Sequence, residues 1–291
     1  IINQVKENNL VLIIDDYQDL SSVSLMANPS NLSVELLEDL KKISKLKVLY
    51  CLDFMDLERI GFKPNTSEGY IYRFNQNLPS VSAKNANRDS NKLNNLILTI
   101  SQLNDRNSTK DSFISPGEVQ LSCSTVGGVL RRTGHTEAAI DLMKLAGKYP
   151  ATVICQLEIQ ESNTVTFKNF CLKYKIESIS LSEIIEFRRK NEKQVELHSS
   201  SQLPTLYGEF KAYAYKSLVD GFSHIALVKG EIGDGENVLV RVHSECLTGD
   251  VLGSLRCDCG DQLHSALKKI EEEKGECFYT SEDTRVEALD F

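Results

Sequence analysis

Three cysteines fall within fourteen residues near the carboxyl end of the chain, Cys246, Cys257 and Cys259, spaced C-x10-C-x-C with acidic, basic and small residues between them. Soft thiolate ligands so spaced suit zinc, which takes four tetrahedral positions. A closed structural site fills all four, whereas an open catalytic site supplies three ligands and leaves the fourth to water. Three good ligands are present, and His243 and His264 are candidates for a fourth. Three thiolates and a water would lower the water's pKa to about 7 and ready it as a nucleophile. The competing explanation is packing, since free cysteine is among the most buried residue types. A redox C-x-C pair is a third reading, but such pairs usually take the form C-x-x-C, and the third cysteine would lack a role.

The surrounding pattern says what must position these thiols. After Cys259, Leu263, Ala266, Leu267 and Ile270 recur at helical spacing, and Gly275 sits where a C-terminal cap belongs. Cys257 and Cys259 are therefore expected at a helix N-terminus, where the backbone dipole and free N–H groups favour thiolate over thiol.

The stretch RVHSECLTGDVLGSLRCDCGDQL resembles the zinc motif of GTP cyclohydrolase II. The preceding Tyr207-Gly208-Glu209-Phe210 and VDGFSHIALVKGEIGDGENVLVRVHSEC are similar to that family's opening strands. The family opens the imidazole ring of GTP, releasing formate and pyrophosphate. The resemblance implies Cys246, Cys257 and Cys259 as Zn2+ ligands. It implies Arg241, Val242, His243, Ser244 and Glu245 along the GTP site, with Arg241 suited to phosphate oxygens, and Gln262 in contact with the nucleotide. The family continues beyond this motif into a loop and further residues for guanine recognition and acid–base work, which residues 276–291 do not match, so no catalytic residue is assigned. Residues 204–275 stand near the ~70–80-residue mark below which a single core seldom suffices. Zinc could compensate through coupled folding, but exposed strand edges would remain, and weak or absent cyclohydrolase activity is expected of the chain as written. Cys277 is a conceivable extra ligand, at a position that departs from the family.

A second motif, GGVLRRTGHTEAAIDLMKLAG, resembles the core of 3,4-dihydroxy-2-butanone 4-phosphate synthase, which plants and many bacteria fuse ahead of GTP cyclohydrolase II in this same order. That family converts ribulose 5-phosphate to the butanone phosphate and formate with Mg2+. The resemblance makes His135 a metal ligand and places Arg132 and Thr136 against the substrate. The rest of the site should be an acidic run of the type D-D-E-D-R-E-N-E-G-D, where this chain has Asp15-Asp16-Tyr17-Gln18-Asp19-Leu20-Ser21-Ser22-Val23-Ser24. Leu20 replaces the metal-binding Glu, Ser22 and Ser24 replace neighbouring acids, and Asp19 replaces the substrate Arg. Gln156 replaces a later acid, with Glu158 two residues on. Magnesium needs hard oxygen ligands, and a proton shuttle needs carboxylates. A domain with the synthase fold, Mg2+ lost and no synthase activity is therefore expected, with His135 a vestigial ligand or a hydrogen-bonded helix-start histidine. The alternative to a working zinc hydrolase is a non-catalytic member acting through association with full-length relatives. The synthase family is usually dimeric, and a silent domain can still pair.

The chain, at 291 residues, has room for two domains. The pattern implies an α+β fold of layered α/β type: a synthase-like domain over 1–196, a linker over 197–203 within polar 192–204, the N-terminal part of a cyclohydrolase domain over 204–275, and a tail over 276–291. Predicted elements are a short helix and strand over 1–14, a helix over 33–46, a strand at 48–52, a helix or strand at 95–103, a helix from about Thr136 to Gly147, a strand at 152–159, a helix at 167–176, a strand at 179–181 and a helix at 181–191. Residues 75–93 and 104–117 are predicted loops.

Net charge of -8 without a basic stretch excludes a general nucleic-acid binder. The longest apolar run, Leu10 to Ile14, is too short for a membrane span. Eight cysteines in a chain this long point to a reducing compartment rather than a disulfide scaffold, and Cys51, Cys123, Cys155 and Cys171 read as packing residues. The start at Ile1, in mid-pattern, is expected of a fragment or processed chain. Plastid residence is implied only by the resemblance to plant fusions.

Overall fold

The computed structural model describes residues 1–17, 22–62, 78–86, 91–158, 164–273 and 275–280, with 22 and 275–280 described by backbone alone. The chain divides between Glu192 and Lys193 into two compact units. Asp19 and Leu20 lie outside the described residues.

The first unit is built on a seven-stranded mixed sheet. Its strands are β1 (Val11–Ile14), β2 (Ser22–Ala27), β3 (Lys47–Leu52), β4 (Ser80–Ala83), β5 (Phe113–Cys123), β6 (Ala151–Glu158) and β7 (Glu177–Ser180), in the spatial order β4-β5-β3-β6-β2-β1-β7. Side chains alternate across a strand, and both faces are buried here. Leu12, Leu25, Tyr50, Leu52, Val153 and Cys155 pack on one side, against α2 (Val34–Ile43), α3 (Phe54–Ile60), α4 (Lys92–Asn104) and α6 (Thr164–Tyr174). Val11, Ile13, Met26, Cys51 and Ile154 pack on the other, against α1 (Ile2–Lys6), α5 (His135–Leu145) and α7 (Leu181–Asn191).

Helix α2 starts where Ser33 Oγ accepts the Leu36 N–H at 3.1 Å and buries Leu36, Leu37, Leu40 and Ile43, the predicted face. The stretch 95–103 resolves as helix, since α4 buries Leu93, Leu96, Ile100 and Leu103 along one stripe. A capping box between Ser180 and Glu183 starts α7. Cys51, Cys123 and Cys155 are buried and Cys171 partly so; burial pushes the Cys51 and Cys155 thiols up to about 12. The predicted loops 75–93 and 104–117 instead contain β4 and the start of β5. These pair antiparallel across a register shift, and Val81 and Val119 are buried. Their Ser, Gly and Pro content hides a short alternating pattern.

The second unit carries a five-stranded sheet of β8 (Val195–Thr205), β9 (Gly208–Ser217), β10 (Ser223–Val228), β11 (Leu239–Ser244) and β12 (Gly275–Thr280), ordered β11-β12-β10-β9-β8. Residues 197–203, read from sequence as a linker, lie inside β8 and pair with β9. Exposure explains the misreading, because nearly every β8 residue faces solvent and the strand carries no apolar alternation. Gly275, two residues past the end of α8, opens β12, and residues 276–280 pair with both β10 and β11. Helix α8 (Cys259–Glu273) covers one face of the sheet, packing Leu267 and Ile270 on Phe210 with Tyr207, Leu227, Leu239 and Leu263 at the margin. Among the described residues no helix is long and apolar enough to cross a membrane.

Candidate functional site

The thiols are set by the end of β11 and the start of α8. After Ser244 the backbone turns through a π-type turn, Leu247–Val251, with Cys246 just ahead of it. Cys259 is the first residue of α8, and Cys257 stands two residues before. The three sulfurs lie within 4.8 Å of one another, and Cys246 Sγ is 3.8 Å from Cys257 Sγ. Sulfurs at about 2.3 Å from a tetrahedral zinc lie about 3.8 Å apart, so the Cys246–Cys257 pair has that spacing and the Cys259 sulfur is close enough to complete the set. The cradle depends on a glycine: a Cβ on Gly249 would lie 2.8 Å from Cys257 Sγ, 3.0 Å from Cys259 Cβ and 3.3 Å from Cys246 Sγ. Hydrogen bonding from Thr248 holds Cys246 below the usual thiol range, while Cys246 and Cys257 push Cys259 up to about 12. Neighbouring thiolates repel one another, and a cation between them offsets that repulsion.

Neither histidine considered as a fourth ligand turns to the sulfurs. His243 is buried, with Nε2 3.1 Å from each oxygen of Asp250, and His264 stacks on Tyr207 at 5.2 Å between centroids. Among the described residues, the trio is the group of three metal-ligating side chains that converge. Cys277 is described by backbone alone, in β12. Of the residues expected along the nucleotide site, Arg241 and Gln262 are joined, Arg241 Nη2 donating to Gln262 Oε1 at 2.8 Å. Gln262 Nε2 donates in turn to Asp258 at 2.8 Å. Strand alternation sends Val242 and Ser244 to the face away from α8, and Glu245 is exposed. Sequence reasoning missed Asp250, whose partners are set by the turn.

The His135 locus is arranged differently. His135 Nδ1 lies 2.5 Å from Ser24 Oγ, and burial holds its pKa below 6.5. Ser24 faces Gln156 across the β2–β6 ladder, and Ser22 pairs with Glu158 in register, so two of the positions expected to be acidic, Ser24 and Gln156, lie side by side without a carboxylate. Asp16 accepts hydrogen bonds from the Ser182 N–H and Oγ at the start of α7, and Asp15 accepts the Tyr17 N–H at 3.1 Å. Thr136 is turned inward, its hydroxyl 2.8 Å from Ser122 Oγ, and Arg132 Nη1 donates to Glu137 at 3.3 Å.

Two further buried carboxylates, Glu137 and Asp141, hold the preceding loop. Glu137 accepts the Thr125 N–H at 3.2 Å; Asp141 accepts the Val129 N–H at 2.8 Å and an Arg188 N–H at 2.7 Å. Desolvation raises both of their pKa values. Acids at i and i+4, one just ahead of the apolar run Ala138–Met143 and one inside it, were the available signal.

Comparison with known proteins agrees with this division. Residues 1–187 match the family model for 3,4-dihydroxy-2-butanone 4-phosphate synthase, and residues 196–290 match that for GTP cyclohydrolase II. The second match therefore takes in most of the stretch set apart above as a tail. The chain is 36% identical over 281 residues to riboflavin biosynthesis protein RibBA of Mycobacteroides abscessus, covering 94% of this chain and 67% of that protein. It is 35% identical over 275 residues to the bifunctional riboflavin biosynthesis protein RIBA 1, chloroplastic, of Arabidopsis thaliana, covering 93% of this chain and 51% of the relative. The chain thus spans about half the length of that plant relative. It is 44% identical over 198 residues to the monofunctional riboflavin biosynthesis protein RIBA 3, chloroplastic, of Arabidopsis thaliana, covering 67% of this chain and 39% of the relative. A two-domain 3,4-dihydroxy-2-butanone 4-phosphate synthase from A. baumannii shares the fold, with a TM-score of 0.72 at 23% identity over 97% of this chain and 81% of that one. The chain belongs to the riboflavin-biosynthesis family in which a 3,4-dihydroxy-2-butanone 4-phosphate synthase domain precedes a GTP cyclohydrolase II domain.

Proposed function

We propose that the chemistry of this chain resides in the second unit, as a GTP cyclohydrolase II-type zinc hydrolase, and that the synthase-like first unit is catalytically silent. The observation that carries the reading is the convergence of Cys246, Cys257 and Cys259 at a spacing that fits tetrahedral zinc. A zinc ion held there supplies the Lewis acidity that activates water at neutral pH. Arg241 is the residue that would bind phosphate oxygens of GTP, and Gln262, which it already contacts, orients it. Val242 and Ser244 would contribute backbone or rim contacts, since strand alternation turns their side chains from the Arg241 face, and Glu245 would contribute from the exposed rim.

The silence of the first unit rests on the His135 locus. Its ring is engaged by Ser24, and Gln156 stands where a carboxylate would serve. No oxygen set there meets the octahedral demand of Mg2+ among the described residues. A relative named monofunctional accords with the loss of one activity, though its name does not say which. Residence in a plastid is proposed from the chloroplastic relatives.

The experiment is formate release by the purified full chain. The expected result is weak release from GTP that requires zinc and disappears in C257S, with none from ribulose 5-phosphate and magnesium. Robust magnesium-dependent release from the pentose phosphate overturns the silent first unit. Bound zinc with no GTP turnover favours the second reading, a non-catalytic member acting by association with relatives.

A further inference from the structure

We propose that Asp250 is the positioning residue of the thiol site, fixing Cys246 through its backbone and held in turn by His243. Cys257 and Cys259 are placed by the start of α8, but Cys246 lies eleven residues away from Cys257, beyond the end of β11, with only the short π-type turn that follows it to aim it. Asp250 supplies the anchor. Its carboxylate accepts the Cys246 N–H at 2.8 Å, and its own N–H donates to the Cys246 carbonyl at 2.7 Å, which closes residues 246–250 into a ring. Both carboxylate oxygens lie 3.1 Å from His243 Nε2, and each of the two side chains is 3% exposed.

A hydrogen bond to a charged acceptor is short and strong, and stronger out of water. The pair therefore holds the turn more firmly than an exposed contact would. Gly249, immediately before Asp250, lets the turn lie against the three thiols, and Gly260 at the start of α8 meets it: a Cβ there would sit 2.7 Å from the Gly249 carbonyl oxygen. His243 belongs to this support rather than to the ligand set, because its Nε2 is held by Asp250 and neither ring nitrogen converges with the three sulfurs. Partners beyond the ligands commonly change metal affinity by 10–100-fold when removed, which sets the size of the expected effect.

The test uses the full chain with D250A and the near-isosteric D250N. Zinc binding, on which the proposed function depends, enters only one of the two readouts. In the first, the metal-free protein is treated with glutathione disulfide. Two protein thiols give up two protons and two electrons, forming one protein disulfide and two molecules of glutathione, and peptide mapping locates the bond. The wild-type chain links Cys246 to Cys257, and D250A slows that link by about tenfold or more and scatters it among the three cysteines. In the second, zinc affinity is measured against a chelating dye. D250A weakens it by about 10–100-fold, and D250N, which keeps an acceptor for the Cys246 N–H, falls between.

If D250A does not fold, D250N decides: a loss of about threefold or more in both readouts supports the role, and no change overturns it. Variants that melt earlier yet keep the wild-type linkage rate and zinc affinity show a purely structural residue and overturn the proposal, as does a wild-type chain that fails to link Cys246 with Cys257. If the linkage depends on Asp250 while zinc is not bound at all, the positioning role stands and the zinc hydrolase falls.

Discussion

The His135 locus and the cysteine trio are built on opposite plans. The first sits in a unit whose sheet is buried on both faces, with Glu137, Asp141 and Arg188 binding the loop ahead of His135 through several hydrogen bonds. Its frame is intact, and on the proposed reading its chemistry is lost, because Ser24 and Gln156 stand where the resemblance places carboxylates. The second sits on a sheet with one helix and a core of Phe210, Leu267 and Ile270, yet its three reactive side chains converge within 4.8 Å. A fold can outlast its active site, since packing and catalysis draw on different residues. A set of ligands can also persist on a frame that needs those ligands for its own stability.

The largest effect that would break this contrast is on metal content. C257S is expected to take bound zinc from one ion per chain to none, as read by elemental analysis, since two thiolates without a compensating ligand do not make a zinc site. Stripping the metal comes next. A chelator is expected to abolish hydrogen-exchange protection in α8 and β11 while that of α5 and β6 persists, because metal binding is coupled to folding where the core is small. Equal protection before and after stripping would show that the second unit does not depend on the ion. G249A should follow, weakening zinc affinity by about tenfold or more without removing a ligand. Its added methyl meets Cys257 Sγ at 2.8 Å and must push the cradle open.

The smallest effect concerns the first unit and pH. Burial depresses the His135 pKa below 6.5, so the unfolded chain binds the proton more readily than the folded one. The histidine's contribution is present above about 6.5 and is lost as pH falls below it toward the folded value. Urea midpoints of the first unit should drop over that window, and H135Q should flatten the drop. An unchanged slope would place the ring in solvent rather than against Ser24.

The parts legible in sequence were those whose determinants are local. The C-x10-C-x-C spacing and the periodicity of Leu263, Leu267 and Ile270 led to the trio at the start of α8, and the Leu36–Ile43 stripe led to α2. What escaped depends on partners far along the chain. Ser24 meets His135 across 111 residues, and no local pattern reports it. Asp250 reads as a turn acid until the backbone folds back to bring His243 and Cys246 against it. Residues 197–203 look like a linker because β8 is defined by pairing with β9 rather than by burial. Residues 276–280 look foreign for a similar reason: β12 earns its place by hydrogen bonds to β10 and β11, which composition does not reveal.

The account turns on a metal held by Cys246, Cys257 and Cys259, and X-ray absorption at the zinc edge of the purified full chain tests it most directly. Three sulfur neighbours at about 2.3 Å and one lighter atom at about 2.0–2.2 Å are the expected shell. A shell of nitrogen and oxygen alone, or a chain that takes up no zinc after reconstitution under reducing conditions, would contradict it.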